Sequence, residues 1–499
     1  MDNITVKTKC GDVKGYMIND VFKFQGIPFA EKPTRFKHSI ELKIFDRLID
    51  AKKPANSCYQ FGPNFDGDVT PNESEDCLYL NIFTKEIKTK KPVFVWIHGG
   101  GFMTGCSYYP MYDGTSFAKN DEVYVSINYR LGVFGFYDFR LLNEQFDENI
   151  GINDQIVALN WIKDNIEAFG GDPDNITICG ESAGGISVLT LLASPITKGL
   201  FNKAIVESSL PYCVFSKEQA RTYVDAFLSV AGIDEKHLDK LNDLKPSEIV
   251  ELSHKTSEIV NRNYPGFNIA SPVCGTEILP YDIIEANKRR INGEVKLIIG
   301  TNRDEGTLFC QNTPYSMFPY GWNKVEMMLK LTKHDNLLID LKEYYDKTYK
   351  DYEFHQLAYD TLFLRGLLNV AETRSVYSDV YVFRFDYSLP TTEKLKFRAC
   401  HALEMSFVLG TTNCMADHHP FFKDGYDKIE VKEVEKQMNG AWINFCKNGN
   451  PNSDTLIVPW PKFTYDSKLA HTFKVEPSII SYKNYEPAKL LGDIRIWTH

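Results

Sequence analysis

Short, mainly apolar runs separated by helical patterns are the feature that most constrains the fold of this chain. Residues 93–97 read Val-Phe-Val-Trp-Ile, and residues 122–127 and 176–179 are mainly apolar as well. Runs of this length without strict polar alternation are typical of strands that are covered on both faces. Three further mainly apolar runs predict strands at 203–207, 296–300 and 379–385.

Helical patterns lie between these predicted strands. The apolar positions between residues 152 and 166 recur at spacings of three and four, as on one face of a helix: Ile152, Ile156, Leu159, Ile162 and Ile166. Gly170-Gly171-Asp172-Pro173 then supplies stop and turn residues, and residues 184–192 favour a second helix rich in small side chains. Strands that alternate with helices predict an α/β fold with a doubly wound, mainly parallel sheet.

Nothing in the 499 residues marks a domain boundary, since repeats and low-complexity linkers are missing. We therefore expect one catalytic domain over residues 1–499, because large α/β folds run as one unit. Two long stretches, at about 211–290 and 312–378, read as helical insertions; Ser216 and Gln219 form a capping-box pattern, with Gly232 as a helix stop. We expect them to form a cap around a substrate gorge, the alternative being a purely structural scaffold.

Charge and cysteine content narrow the class of protein. The formal net charge is -10, which disfavours nucleic acid as a partner. No signal peptide is read near residue 1, and no apolar run of membrane-spanning length occurs. Eleven cysteines, an odd number, favour free thiols in a reducing compartment. We expect a cytoplasmic protein of enzyme size; its oligomeric state leaves no signature in the sequence.

The pentapeptide Gly180-Glu181-Ser182-Ala183-Gly184 matches the G-x-S-x-G pattern of a nucleophilic serine. The pentapeptide alone is a weak signal, but a predicted strand precedes it and a predicted helix follows it. Such a strand-turn-helix places the serine on a strained turn where flanking side chains would clash, which explains the glycines. The sequence therefore predicts Ser182 as a nucleophile.

Three consecutive glycines, Gly99 to Gly101, follow the strand that ends at Ile97. Acyl transfer places negative charge on the carbonyl oxygen, and backbone N–H groups stabilise that charge where no side chain blocks the approach. We expect the oxyanion donors to be the N–H groups of Gly100, Gly101 and Ala183. A flexible loop is the alternative, while both common phosphate-binding patterns are missing.

A serine nucleophile needs a base, and the base needs an acid that orients it. In folds of this type the chain order is serine, acid, histidine. Asp304 and Glu305 both follow the strand at 296–300, and spacing does not choose between them. Of seven downstream histidines, only His401 follows a strong strand by a short loop and precedes an apolar helical run.

Together with these motifs, further segments resemble the type-B carboxylesterases of the α/β-hydrolase fold, the cholinesterase and carboxylesterase superfamily, and most of all its bacterial para-nitrobenzyl esterases. The likeness covers nearly the whole chain, in Gly26-Ile27-Pro28-Phe29-Ala30, Ser74-Glu75-Asp76-Cys77-Leu78-Tyr79-Leu80-Asn81, Asn128-Tyr129-Arg130-Leu131-Gly132, Phe169-Gly170-Gly171-Asp172-Pro173, Gly449-Asn450-Pro451 and Trp460-Pro461. The resemblance implies that Glu305 is the acid and His401 the base. It implies a small-molecule ester as substrate, with neither a cofactor nor a metal.

The chain departs from the family pattern at a few positions. Ser209 stands where relatives usually carry glycine. Cys58 and Cys77 match positions that form a disulfide in secreted relatives, so they are expected to be close in space yet free in a reducing compartment. Residues 59–76 contain no tryptophan, the residue with which cholinesterases hold a quaternary ammonium, so choline esters are disfavoured as substrates.

Three alternative functions remain at this point: a non-catalytic adhesion member of the same superfamily, an interfacial lipase and an amidase. The first usually loses a motif residue, and here every motif position is filled. A cluster of Cys414, Asp417, His418 and His419 lacks the spacing of a metal site, so no metal is expected.

Overall fold

The computed structural model describes residues 3–60, 72–264, 270–310, 318, 320–415, 418–419, 421 and 424–492. Within these ranges the strands form one thirteen-stranded sheet with the order β1-β2-β3-β5-β7-β6-β8-β9-β10-β11-β12-β13, and β4 pairs with β2. The strands are β1 Asn3–Lys7, β2 Asp12–Ile18, β3 Val21–Pro28, β4 Ile49–Asp50, β5 Tyr79–Thr84, β6 Lys91–Ile97, β7 Val123–Ile127, β8 Gly171–Glu181, β9 Lys203–Glu207, β10 Lys296–Asn302, β11 Val380–Phe385, β12 Leu469–Phe473 and β13 Ser478–Ser481.

The centre of the sheet is parallel and its two margins are antiparallel. From β7 to β12 every neighbouring pair is parallel, in the order β7-β6-β8-β9-β10-β11-β12. The pairs β1–β2, β2–β3, β3–β5, β5–β7 and β12–β13 are antiparallel. Because parallel strands end at the same edge, the loops that follow β6, β8, β9, β10 and β11 meet there, as ligand sites in such sheets do.

The helices cover both faces of the sheet. They are α1 Thr115–Lys119, α2 Gly132–Phe136, α3 Ile150–Asn165, α4 Ala183–Ala193, α5 Lys217–Ala231, α6 Pro246–Asn263, α7 Ile283–Lys288, α8 Gly306–Phe309, α9 Trp322–Leu331, α10 Leu338–Tyr349, α11 Glu353–Ala358, α12 Arg365–Arg374, α13 Pro390–Lys394, α14 Met405–Leu409, α15 Thr412–Met415, α16 Ile429–Asn448 and α17 Glu486–Leu491, with a π-helix at Tyr359–Leu364.

Successive residues of β6 show why both faces need cover. Ile97 belongs to an apolar cluster that includes Leu159 of α3 and Leu189 of α4. Trp96 belongs to a second cluster on the opposite face, which includes Trp442 of α16. Side chains alternate across a strand, so a wholly apolar strand must have a core on each side. The prediction of a doubly wound, mainly parallel sheet is confirmed.

The predicted strands and helices are all present, with one difference at the start of β8. The turn expected at residues 170–173 is only partly a turn, because pairing with β6 already begins at Gly171. Lys91 pairs with Gly171 and Val93 with Ile176, so a bulge takes up the extra residues. Gly170, at φ +82°, ends the preceding helical turn, and its carbonyl accepts a hydrogen bond from the Lys91 N–H at 2.9 Å.

Both predicted insertions are mainly helical over their described residues. The first contains α5 to α7 and the second α9 to α12, while residues 265–269, 312–317 and 319 lie outside the described part. The predicted capping box is confirmed: the Ser216 hydroxyl accepts from the Gln219 N–H at 3.2 Å, and the Gln219 side chain accepts from the Ser216 N–H at 2.7 Å. Gly232 ends α5 in the left-handed conformation, at φ +67°.

None of the helices in the described part of the chain has the length and apolar character needed to cross a membrane.

Glu122, which precedes β7, is an unusual core residue, and we predict that it destabilises the fold at alkaline pH. It is fully buried, neither carboxylate oxygen has a hydrogen-bond partner, and burial raises its pKa well above the usual 4.5, although Lys447 and Lys203 lower it in part. The folded state keeps the proton while the unfolded state releases it, so stability falls as pH rises above about 4.5.

Glu122→Gln should therefore increase the free energy of unfolding at pH 8 by about 1–3 kcal/mol, with a smaller gain at pH 5. Urea denaturation at both pH values measures the difference. The exposed Glu144→Gln serves as the control and should change neither value. An equal loss of stability at both pH values would contradict the prediction.

Candidate active site

Ser182 occupies a strained turn between β8 and α4. Its backbone has φ +55° and ψ −119°, a combination that costs about 1–3 kcal/mol for a residue with a side chain. The turn closes tightly because Gly184 carries no Cβ: an added Cβ would overlap the Ile97 carbonyl oxygen at the end of β6. The Ser182 N–H is held by the Glu207 carbonyl of β9 at 3.0 Å. The strained turn expected around Ser182 is therefore present.

The glycine loop after β6 lies directly against this turn. An added Cβ at Gly99 would come within 3.3 Å of the Ser182 Cβ and 2.8 Å of the Glu181 carbonyl oxygen. Gly100 and Gly101 have φ values of +102° and +61°, which favour glycine. In the described contacts, the N–H groups of Gly100, Gly101 and Ala183 donate no hydrogen bond. Three unpaired N–H donors are thus available beside the serine.

The structure separates the two candidate acids. Glu305 Oε2 lies 2.6 Å from His401 Nδ1, and Glu305 Oε1 accepts from the Asn302 N–H at 2.7 Å. Glu305 is fully buried and His401 is 5% exposed, so little solvent screens this pair. The Asp304 carboxylate instead accepts from Tyr352, Arg303 and the Ala399 N–H. Of the two acids, Glu305 is therefore the one whose carboxylate contacts the imidazole.

The other imidazole nitrogen lies beside a residue that the sequence reasoning did not single out. His401 Nε2 is 3.1 Å from Glu181 Oε1, and the Glu181 side chain is almost fully buried. Among the described contacts, Nε2 makes no hydrogen bond with the Ser182 hydroxyl. Triad contacts are often long or misaligned without substrate and tighten when it binds. The only sequence signal for Glu181 was its place within the pentapeptide.

Aromatic side chains hold the imidazole ring from its sides. The Phe309 ring centroid lies 4.8 Å from that of His401, and the Phe363 centroid lies at 5.3 Å. Phe363 belongs to the π-helix Tyr359–Leu364, an irregularity that is frequent at functional sites. No periodic pattern in the sequence reveals a π-helix, so the sequence gives no signal for the position of Phe363.

His401 lies on a strained loop between α13 and α14. Lys396, Arg398 and Ala402 have φ values of +63°, +55° and +68°, and none of them is glycine. Each such conformation costs about 1–3 kcal/mol and persists only where the surrounding structure fixes it. The position of the imidazole therefore depends on contacts from outside the loop.

Two more buried carboxyl groups lie behind the histidine. Glu404 accepts from the Ser208 hydroxyl at 2.7 Å and also from Asn302, and burial with the nearby Glu305 raises its pKa to about 7. Glu207 accepts from the Trp442 indole at 2.7 Å, and burial raises its pKa to about 8. Both groups hold a proton far more readily than an exposed glutamate, which limits the negative charge around the histidine.

Ser209 and the cysteine pair, noted as departures, are both buried. The Ser209 hydroxyl has no hydrogen-bond partner in the described structure, and its Cβ would lie 2.9 Å from a Cβ added at Gly185. Cys58 and Cys77 are free thiols close enough to hydrogen bond, a contact that raises the pKa of Cys77 together with burial.

The described residues include no group of three or more histidine, cysteine or acidic side chains placed to hold a metal ion. Asp417, from the weak cluster noted in the sequence, lies outside them.

Comparison with known proteins identifies the family of the chain. The family model described as Carboxylesterase family matches residues 2–488. The chain belongs to the carboxylesterase family. It is 36% identical over 483 residues to the para-nitrobenzyl esterase of Bacillus subtilis (strain 168), covering 94% of each chain. It is 30% identical to the phenmedipham hydrolase of Pseudarthrobacter oxydans, covering 92% of each.

Solved structures of the carboxylesterase family share the fold. A thermophilic para-nitrobenzyl esterase superposes with a TM-score of 0.88 at 33% identity, covering 98% of this chain and 99% of the other. The family and these relatives establish the expected α/β-hydrolase fold and a carboxylic ester hydrolase of the serine type.

The glycine loop offers a direct test of the site geometry. An alanine Cβ at Gly100 would overlap the Thr104 carbonyl, whereas one at Gly101 would meet no heavy atom within 4 Å. Both positions have positive φ, so Gly101→Ala should cost about 1–2 kcal/mol in unfolding free energy from backbone strain alone. Gly100→Ala should cost more, because the overlap adds to the strain. Guanidinium denaturation of the two variants measures the difference, and equal losses would contradict the loop geometry.

Proposed function

We propose that Ser182, His401 and Glu305 form the catalytic triad of this esterase. The observation that carries the proposal is the buried 2.6 Å contact between Glu305 and His401, next to a serine on a strained turn. The three residues follow β8, β11 and β10, strands whose carboxyl ends share one edge of the sheet. Chain order and roles match the serine-acid-histidine arrangement of this fold.

In the proposed mechanism the Ser182 oxygen attacks the acyl carbon while His401 Nε2 accepts the hydroxyl proton. Without substrate, His401 Nε2 lies beside Glu181. In the proposed mechanism the Ser182 hydroxyl replaces Glu181 as the partner of this nitrogen when substrate binds. Since Glu181 and Ser182 are neighbours, this exchange requires only local side-chain movement. The imidazolium then returns the proton to the leaving alcohol, and Glu305 stabilises its positive charge.

The tetrahedral intermediate carries its negative charge on the former carbonyl oxygen. We propose that the unpaired N–H groups of Gly100, Gly101 and Ala183 donate to this oxygen, each contributing about 3 kcal/mol. Water activated by His401 then hydrolyses the acyl-enzyme. Each step uses side chains and backbone groups of this chain, so the mechanism as proposed needs no cofactor or metal.

We also propose that the chain is one catalytic domain over residues 1–499, in which the two insertions, 211–290 and 312–378, form a cap around the substrate gorge. In support, Phe363 of the second insertion packs against His401. A Cβ added at Gly366 of α12 would lie 3.0 Å from Pro211 Cδ, so the two insertions meet beside the site. Side chains of this cap would then select the acyl and alcohol groups of a small ester.

A cytoplasmic location is part of the proposal. In support, Cys58 and Cys77 lie close together as thiols without forming a disulfide, as expected where thiols stay reduced.

Hydrolysis of para-nitrophenyl acetate, butyrate, octanoate and palmitate tests the proposed nucleophile. Loss of the serine in another triad hydrolase lowers turnover by about 10⁶, so Ser182→Ala should lose essentially all measurable activity. Ser187→Ala is a matched control on the same helix; its hydroxyl bonds to Gln155, and activity should stay within about 2-fold.

We expect the rate to fall with acyl length. A preference for palmitate would favour the lipase alternative. Activity that survives in Ser182→Ala would refute the triad.

A pair of thioesters tests whether the gorge recognises quaternary ammonium groups. No tryptophan occurs at residues 59–76, so the strong cation–π contact of cholinesterases is missing there; residues 61–71 lie outside the described structure. We expect kcat/KM for acetylthiocholine to be no higher than for its neutral isostere 3,3-dimethylbutyl thioacetate. A tenfold preference for the cation would show that another residue supplies the contact.

A further inference from the structure

Asp304, the neighbour of the proposed triad acid, is buried and contacts the histidine loop rather than the imidazole. Its side chain is 5% exposed. Oδ2 accepts from Arg303 Nε at 2.8 Å and from the Ala399 N–H at 3.2 Å. Oδ1 accepts from the Tyr352 hydroxyl at 2.6 Å, and Arg398 Nη1 lies 3.8 Å away. The carboxylate thus joins three parts of the chain.

The contact between Asp304 and Ala399 is a closed pair of hydrogen bonds. Besides the bond to its carboxylate, the Asp304 N–H donates to the Ala399 carbonyl at 2.9 Å. Ala399 lies two residues before His401. A residue held through both its N–H and its carbonyl can neither shift nor rotate freely, so this pair fixes the backbone that leads into the histidine.

The same pair lies within the strained part of the loop. Lys396 and Arg398 precede Ala399 and adopt the left-handed conformation, and Arg398 is the direct neighbour of Ala399. Ala402, which follows His401, is also left-handed. Without external contacts a loop of this conformation would relax, because non-glycine residues avoid positive φ. Other contacts from the acid loop flank the pair: the Thr307 hydroxyl donates to the Phe397 carbonyl at 2.6 Å, and the Asn302 amide donates to the Cys400 carbonyl at 2.7 Å.

We propose that Asp304 is a positioning residue, which sets the place of the His401 imidazole through Ala399. The two adjacent acids then have different roles: Glu305 orients the imidazole ring, and Asp304 fixes the backbone that carries the ring. This inference rests on the proposed triad. Tyr352 extends the arrangement into the second insertion, since its hydroxyl holds Asp304 while the Arg398 guanidinium stacks over its ring at 4.5 Å.

Asp304→Asn is the direct test, because it preserves size while replacing one acceptor oxygen by a donor. The amide nitrogen only donates, so the variant cannot accept from Ala399 and Tyr352 on separate oxygens, and at least one of these two contacts is lost or reversed. We expect kcat per active site for para-nitrophenyl butyrate to fall about 10- to 100-fold, the effect of a small misplacement of a catalytic group, with KM within about 2-fold of wild type. Active sites are counted by the burst of para-nitrophenol from paraoxon.

Asp386→Asn is the matched control. Asp386 is also buried and paired with an arginine, Arg384, at 2.6 Å, but its carboxylate makes no described contact with the histidine loop. Its variant should lose stability while kcat per titrated site stays within about 2-fold of wild type. A similar fall in both variants would mean that general loosening, and not positioning, lowers the rate.

A double-mutant cycle with Glu305→Gln separates positioning from a structural role. If Asp304 acts through His401, its loss should matter little once the ring has lost its orienting acid, so the cost of Asp304→Asn should shrink to less than about 3-fold. The same factor in both backgrounds, or a kcat per site within 2-fold of wild type for Asp304→Asn alone, would overturn the proposal.

Tyr352→Phe keeps the proposal testable if Asp304→Asn does not fold. It removes one bond to the carboxylate and leaves Ala399 untouched, and it should lower kcat about 2- to 5-fold with KM unchanged. An unchanged kcat would count against the positioning role. Failure of the triad itself would be seen separately, as Ser182-independent activity of the wild-type esterase.

Discussion

The close approach of the backbone at the ends of β6 and β8 is the constraint on which the site depends. Gly184 lies under the Ile97 carbonyl, and Gly99 lies against Glu181 and Ser182. A single Cβ at either glycine would force the loop and the serine turn apart. Because both strands are buried on both faces, their ends are fixed by two apolar cores, and the strained backbone at Ser182 is held by the rest of the sheet.

Much of this arrangement is local and could be predicted from the sequence. The strand at 93–97 is apolar throughout and the strand at 176–179 is mainly apolar, and the glycines around Ser182 have a steric reason that needs no tertiary information. These glycines can be interpreted from the sequence because a side chain at these positions, next to the end of a strand, would clash with the turn. The capping box of α5 could also be predicted, because its hydrogen bonds join residues that are three positions apart in the sequence.

Other features depend on contacts between distant parts of the chain and could not be read. Asp304 and Glu305 follow the same strand, and only the fold of the loop at 395–402 decides which of them meets His401. Glu181 meets the imidazole because two loops pack together, and the early start of β8 follows from a bulge opposite Lys91. The carboxyl groups of Glu207 and Glu404 look like ordinary acids in the sequence, yet burial raises their pKa values to about 8 and 7.

The π-helix Tyr359–Leu364 also affects how the enzyme can change over evolution. A π-turn contains one residue more than an α-turn, so a one-residue deletion that restored α geometry would redirect the side chains within Tyr359–Leu364. Phe363 would then leave the ring of His401, although no residue of the proposed triad had been altered. Deletion of one residue in this insertion should thus lower activity more than many substitutions in the gorge. The number of residues in the segment 353–374 is therefore constrained more tightly than its amino-acid composition.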